Sequence, residues 1–136
     1  MTVAIALEIV TPEGPVLERD VDGVTLPTEL GEVGILPGHV PLAGIVVPGL
    51  LHLSQGGQRE SLAVDEGFFI LRANVLSVLV EGAIAVAEID PDEVERAQRR
   101  AEEALARARR AQLDAGEIGQ LEAKIRYQIV KRRARR

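Results

Sequence analysis

The chain has 136 residues, 46% of them hydrophobic but only 2% aromatic, and a formal net charge of −5. That length holds one or two small domains with a modest core, built here from Val, Ile, Leu and Ala. With no cysteine, disulfides, thiolate nucleophiles and cysteine-bound metals are excluded, while the compartment stays open.

The opening MTVAIALEIVTPEG lacks a basic n-region and a small-residue cleavage site, so it does not read as a signal peptide. Residues 3–10, VAIALEIV, alternate apolar and other side chains and read as a strand stopped by TPEGP. VLERDVDGVTLPT supplies one or two more strands. GEVGILPGHVPL, 31–42, reads as a constrained loop with an apolar middle, Ile35 and Leu36. The stretch from Val33 to Leu51 carries no charged residue, but Pro37, Pro41, Pro48 and four glycines keep it from being a spanning helix. LAGIVVPGLLHLSQGG gives two short strands, and QRESLAVDEGFFILRANVLSVLVEG gives three. Short runs at this spacing, with Gly and Pro turns between them, indicate an all-β sandwich or barrel. Its expected core is Ile9, Val24, Leu26, Ile45, Leu51, Leu62, Val64, Phe69, Leu71, Leu76, Val78 and Val80.

The pattern changes at Asp90. Asp90 fits an N-cap, Pro91 the first helical position, and Glu93 the reciprocal half of a capping box. Val94, Ala97, Ala101, Ala104, Ala108 and Ala111 then form a heptad-like seam made almost wholly of alanine. DAGE, 114–117, breaks the helix. A second follows with Ile118, Leu121, Ile125 and Ile129 on one face and KRRARR at its end. Helices over 91–113 and 117–134 would be about 34 and about 27 Å long, joined as an antiparallel hairpin. An alanine seam lets helices approach closely but buries little apolar area, so the hairpin would open at low cost. Charge divides at the same place. Residues 1–88 hold three arginines against twelve acids, whereas residues 89–136 hold thirteen lysines and arginines against nine acids.

No Gly-x-Ser-x-Gly occurs. His39 and His52 stand alone, without metal-ligand spacing. The 31–42 loop matches neither phosphate-binding glycine pattern and has no Lys or Arg, while Glu29 and Glu32 would repel phosphate. Two readings of it remain, a tight turn whose glycines permit positive φ, and a rigid docking knuckle that costs little entropy on binding. The basic tail likewise reads as a helix terminus favoured by its dipole or as a ridge for an acidic protein surface. Nucleic-acid binding is disfavoured by the acidic total and the lack of aromatics for stacking.

TPEGPV, GEVGILPGHVPL, GLLHL with its following GG, AVDEGFFIL, NVLSVLVEGA and DEVERAQRRAEEAL together resemble the epsilon subunit of F-type ATP synthases, the delta subunit in mitochondria. The resemblance runs from about Ile5 to the end of the chain. It implies an α+β fold, an antiparallel β-sandwich of about ten strands over 1–88 followed by an antiparallel α-helical hairpin over 89–136. It implies a non-catalytic rotor subunit of the central stalk of a proton-translocating synthase, with no catalytic or metal residues. Such a subunit is peripheral on the cytoplasmic face of the bacterial plasma membrane and meets the membrane only through the complex. Its sandwich would bind the gamma subunit and the c-ring through Gly31, Glu32, Val33, Gly34, Leu36, His39 and Pro41, with Glu32 towards the c-ring and His39 towards gamma. Its hairpin would reach the alpha/beta catalytic subunits and inhibit ATP hydrolysis, presenting Arg126, Lys131, Arg132, Arg133, Arg135 and Arg136. In some bacterial members ATP binds the hairpin through an aliphatic-Asp-x-x-Arg motif. Here Ile89-Asp90 is followed by Glu93 and only then by Arg96, so Asp90, Glu93 and Arg96 are the candidate contacts, and regulatory ATP is the one cofactor implied. The rival function class is a nucleic-acid-binding or chaperone-like adaptor with a basic coiled arm.

Overall fold

The computed structural model describes residues 3–135; Arg136, one of the expected arm residues, lies outside them. Ten strands come first: β1 Ile5–Thr11, β2 Gly14–Val21, β3 Gly23–Thr28, β4 Gly31–Ile35, β5 Leu42–Val46, β6 Gly49–Gln55, β7 Gln58–Val64, β8 Gly67–Arg72, β9 Val75–Val80 and β10 Ala83–Ala85. A single 3₁₀ turn, Val86–Glu88, leads to α1, Pro91–Arg110, and α2, Ala115–Ala134.

The strands run in the order β10-β7-β6-β3-β5-β8-β9-β1-β2, with β4 paired to β3. The sheet folds over at β3, whose only partner in β5 is the pair Thr28 and Val46. Two layers result, and their inner faces interdigitate around Ile5, Leu7, Ile9, Leu26, Leu51, Leu62, Phe69 and Leu76, each at most 2% exposed. Each such side chain contributes about 1.5–3 kcal/mol by leaving water. At an open edge, Arg19 of β2 donates to Glu60 of β7 at 2.6 Å, a half-exposed pair worth under about 1 kcal/mol. One pairing departs from the antiparallel expectation, because β1 runs parallel to β9. Residues 31–35, expected in a loop, form strand β4 instead, and β10 adds a short edge on β7.

The expected core holds except at Ile45, which is 50% exposed while its neighbour Val46 is fully buried. The reason lies across the ladder. Gly44 pairs with Phe69, and a Cβ on Gly44 would stand 2.7 Å from the Phe69 ring. The Phe69 ring therefore lies over Gly44, which turns positions 44 and 46 inward and Ile45 outward.

Both helices are capped from the sequence. The Asp90 side chain accepts from Asp92 N at 3.0 Å with Pro91 at the first position, but Glu93 makes no reciprocal bond, so only half of the expected capping box forms. The helix α1 ends at Arg110, before DAGE, and is terminated by Gln112, whose φ of +56° is left-handed. Leu113 N donates to Ala108 O and Gln112 N to Arg109 O, at 3.1 and 3.2 Å, a Schellman motif with Gln where Gly is usual. Asp114 then caps α2 by accepting from Glu117 N at 2.8 Å. Each helix has 20 residues, about 30 Å. In the seam Val94 and Ala108 are buried, Ala97, Ala101 and Ala104 half-buried, and Ala111 is exposed beyond the last turn. The hairpin is not free. A second apolar cluster, Ala63, Ile89, Val94 and Tyr127, packs with Leu50, Ile84, Val86, Val130 and Ala134 between α2 and the outer face of β6, β7 and β10.

Candidate interaction surfaces

The expected knuckle divides into two places. At one end of β4, Thr28 Oγ1 donates to Gly31 O at 2.6 Å and accepts from Leu30 N, with Gly31 at φ +105°. This closes a turn that thrusts Leu30 into solvent, 93% exposed, beside exposed Glu29, Gly31 and Glu32. The sequence reading missed Leu30, although it directly precedes the glycine of the turn. At the other end, Leu36 and Val40 are 67% and 69% exposed. Gly38, at φ +85°, donates its N–H to Asn74 Oδ1 at 2.8 Å, which ties this loop to the β8–β9 turn. His39 Nδ1 donates to Val40 O at 2.8 Å, and Pro41 is exposed. Glu32 and Leu36 are four strand residues apart, about 13 Å. Glu32 and His39 therefore belong to different patches, with Val33 half-buried and Gly34 exposed between them. His52, paired opposite Thr25 and hydrogen-bonded to Ser61 Oγ at 2.6 Å, is held below the usual imidazole range by burial and by Arg59, against the pull of Glu32.

A larger surface was hidden from the sequence. Ile45 pairs with Phe68, Phe68 with Leu79, and Ala43 with Ile70. Their side chains share the outer face of β5, β8 and β9, where Ile45, Phe68, Ile70 and Val75 are 50%, 51%, 39% and 46% exposed. Large apolar side chains standing together on a sheet face make it a candidate interaction surface.

The five described arm residues do not form one ridge. Arg126, Arg132, Arg133 and Arg135 are exposed. Lys131 instead lies with Nζ 4.5 Å from the centroid of the Tyr127 ring, and Arg135 Nε donates to Ile89 O at 3.0 Å. Lys131 faces the sandwich, while Arg135 contacts the linker before α1. Burial pushes the Lys131 ammonium down, with Asp65 and Glu93 pulling the other way. Asp65, 7% exposed, accepts from Glu66 N at 2.7 Å, and burial raises its carboxyl above the usual range. Burial and the Asp65 charge push the Tyr127 phenol up.

The candidate nucleotide contacts Asp90, Glu93 and Arg96 are all exposed, and one Asp90 oxygen is already engaged as a cap. No three His, Asp or Glu side chains among the described residues converge on a metal position. The molecule is a folded-over sheet with a helical hairpin docked on one side.

Comparison with known proteins agrees. The family described as "ATP synthase, Delta/Epsilon chain, beta-sandwich domain" matches residues 4–86. The ATP synthase epsilon chain of Bacillus subtilis is 38% identical over 101 residues, 74% of this chain and 76% of its own. That of Herpetosiphon aurantiacus is 38% identical over 133 residues, 97% of this chain and 98% of its own. Among solved structures, a chain of the Euglena gracilis mitochondrial ATP synthase, in an OSCP/F1/c-ring assembly, superposes with a TM-score of 0.71 at 24% identity, covering 96% of this chain and 81% of that one. The fold thus extends through both helices. The chain belongs to the ATP synthase delta/epsilon chain family.

Proposed function

We propose that this chain is a non-catalytic central-stalk subunit of a bacterial F-type ATP synthase, carried on the rotor at the cytoplasmic face of the plasma membrane and held there only through the complex. The observation that carries this reading is the match to the Herpetosiphon aurantiacus epsilon chain over nearly the whole length, hairpin included. The exposed strip of Ile45, Phe68 and Ile70 supplies an apolar seat for the gamma subunit, since a flat sheet face of this kind suits packing against a long helix. The Leu30–Glu32 turn, with its rigid backbone and acidic rim, suits the polar loops of a c-ring. The hairpin restrains ATP hydrolysis when it swings from the sandwich towards the catalytic subunits and offers its basic residues to an acidic surface. Regulatory ATP at Asp90, Glu93 and Arg96 gains no support from their placement.

The test is co-elution with purified gamma on gel filtration. The wild-type chain should co-elute, and Phe68→Asp should abolish the complex while leaving the unfolding midpoint nearly unchanged, because Phe68 is half-exposed in the free chain. A folded wild-type chain that never co-elutes with gamma would overturn the assignment.

A further inference from the structure

The hairpin is fastened to the sandwich at one place, and its parts are spaced along one line of α2. Tyr127, Lys131 and Arg135 recur every fourth residue and so share a face of the helix. Each has a separate task. The Tyr127 ring enters the outer face of the β6, β7 and β10 layer, and its hydroxyl donates to Ala63 O at 3.5 Å. The ring packs closely over Gly82, where a Cβ would stand 3.1 Å from Tyr127 Cε2 and 3.3 Å from its hydroxyl oxygen, so a larger side chain there would push the ring outward. Lys131 Nζ lies over the ring at 4.5 Å from its centroid, a cation–π contact strengthened by partial burial. Arg135 reaches past the end of the sheet to Ile89 O, at the residue that joins the sandwich to α1. The α1 side of the α1–α2 seam, by contrast, is largely alanine. Opening the hairpin therefore means withdrawing the Tyr127 ring, together with the apolar contacts of Val94, Val130 and Ala134, and releasing two cations.

From this we infer that Tyr127, Lys131 and Arg135, with Gly82 as the seat of the ring, form a latch that sets how often the hairpin is docked. The latch also masks charge. Two of the basic residues ascribed to the arm are engaged while it is docked and become available to a partner only on release. This consequence for ATP hydrolysis rests on the function proposed above, but the latch is a property of the isolated chain and is measured there.

Tyr127 is the only tyrosine and there is no tryptophan, so its fluorescence reports the latch without any label. In the wild-type chain, acrylamide should quench it weakly. Gly82→Val should raise the quenching constant several-fold, towards that of a free tyrosine amide, with helix and strand content unchanged by circular dichroism. Lys131→Met combined with Arg135→Gln, which leaves the sheet untouched, should raise it in the same direction and keeps the test available if Gly82→Val fails to fold. Arg133→Ala, exposed and outside the latch, should leave it as in wild type. Wild-type quenching in a folded Gly82→Val chain, or in the double variant, overturns the latch. In the assembled synthase, a variant that exposes Tyr127 and alters hydrolysis supports both readings. Exposure of Tyr127 with unaltered hydrolysis supports the latch and overturns the inhibitory arm.

Discussion

The inward turn of Gly44 makes a quantitative prediction. Replacing it by alanine puts a methyl carbon 2.7 Å from Phe69 Cε1 and 3.1 Å from Cζ, where carbon atoms ordinarily rest about 3.5–4.0 Å apart. The ring would have to withdraw by about 1 Å, yet Phe69 is 2% exposed in the middle of the sandwich core. Overpacking of this kind costs about 1–3 kcal/mol, and the lower chain entropy of alanine in the unfolded state returns about 0.4–1 kcal/mol. The net expectation for Gly44→Ala is a loss of about 1–2 kcal/mol, seen as a lower guanidinium midpoint at unchanged slope. Phe69→Leu alone should also destabilise, by opening a cavity. In the double variant the smaller side chain makes room for the new methyl, so its loss should fall short of the sum by about 1 kcal/mol. Additive losses, or no loss from Gly44→Ala, would show that Gly44 does not face Phe69. The register that turns Ile45 outward would then be wrong, and the apolar strip with it.

Gln112→Gly should stabilise the hairpin turn by about 1 kcal/mol, because a left-handed residue with a Cβ carries a cost that glycine avoids; an unchanged midpoint in thermal unfolding would contradict the left-handed Gln112. Burial raises the Asp65 carboxyl above its ordinary 3.8, so between those two values the folded chain binds more protons than the unfolded one. Stability should accordingly fall as pH rises through that window, and Asp65→Asn should lack this component. Unfolding midpoints of the two chains measured from about pH 3.5 to about pH 7 should therefore diverge in favour of Asn as pH rises; parallel profiles would refute the assignment. We propose that residues 1–88 fold alone, since the sandwich core contains no helix residue. A chain ending at Glu88 should unfold cooperatively with β-type circular dichroism, and a fragment without a cooperative transition would count against two domains.

Local chemistry alone determined a good deal of this protein. Alternation with Gly and Pro turns marked most of the strands, because side chains of a half-buried strand point to the two faces in turn. Asp90-Pro91 fixed the start of α1, since an N-cap and a proline act within a few residues of themselves. Family-specific runs around GEVGILPGHVPL identified the chain. What sequence reading could not supply were the choices made between distant partners. In β5, Ile45 and Val46 are equally apolar, and only Phe69 lying over Gly44 decided which of them faces solvent. The helix α2 is apolar on more than one side, so the seam with α1 could be read but not the second face, where Tyr127 meets Gly82 and Ala63. Likewise the parallel pairing of β1 with β9 joins residues some seventy positions apart, beyond the reach of any local pattern. The docking strip and the latch both arise from such long-range pairings, because a side chain's exposure is set by whatever packs against it.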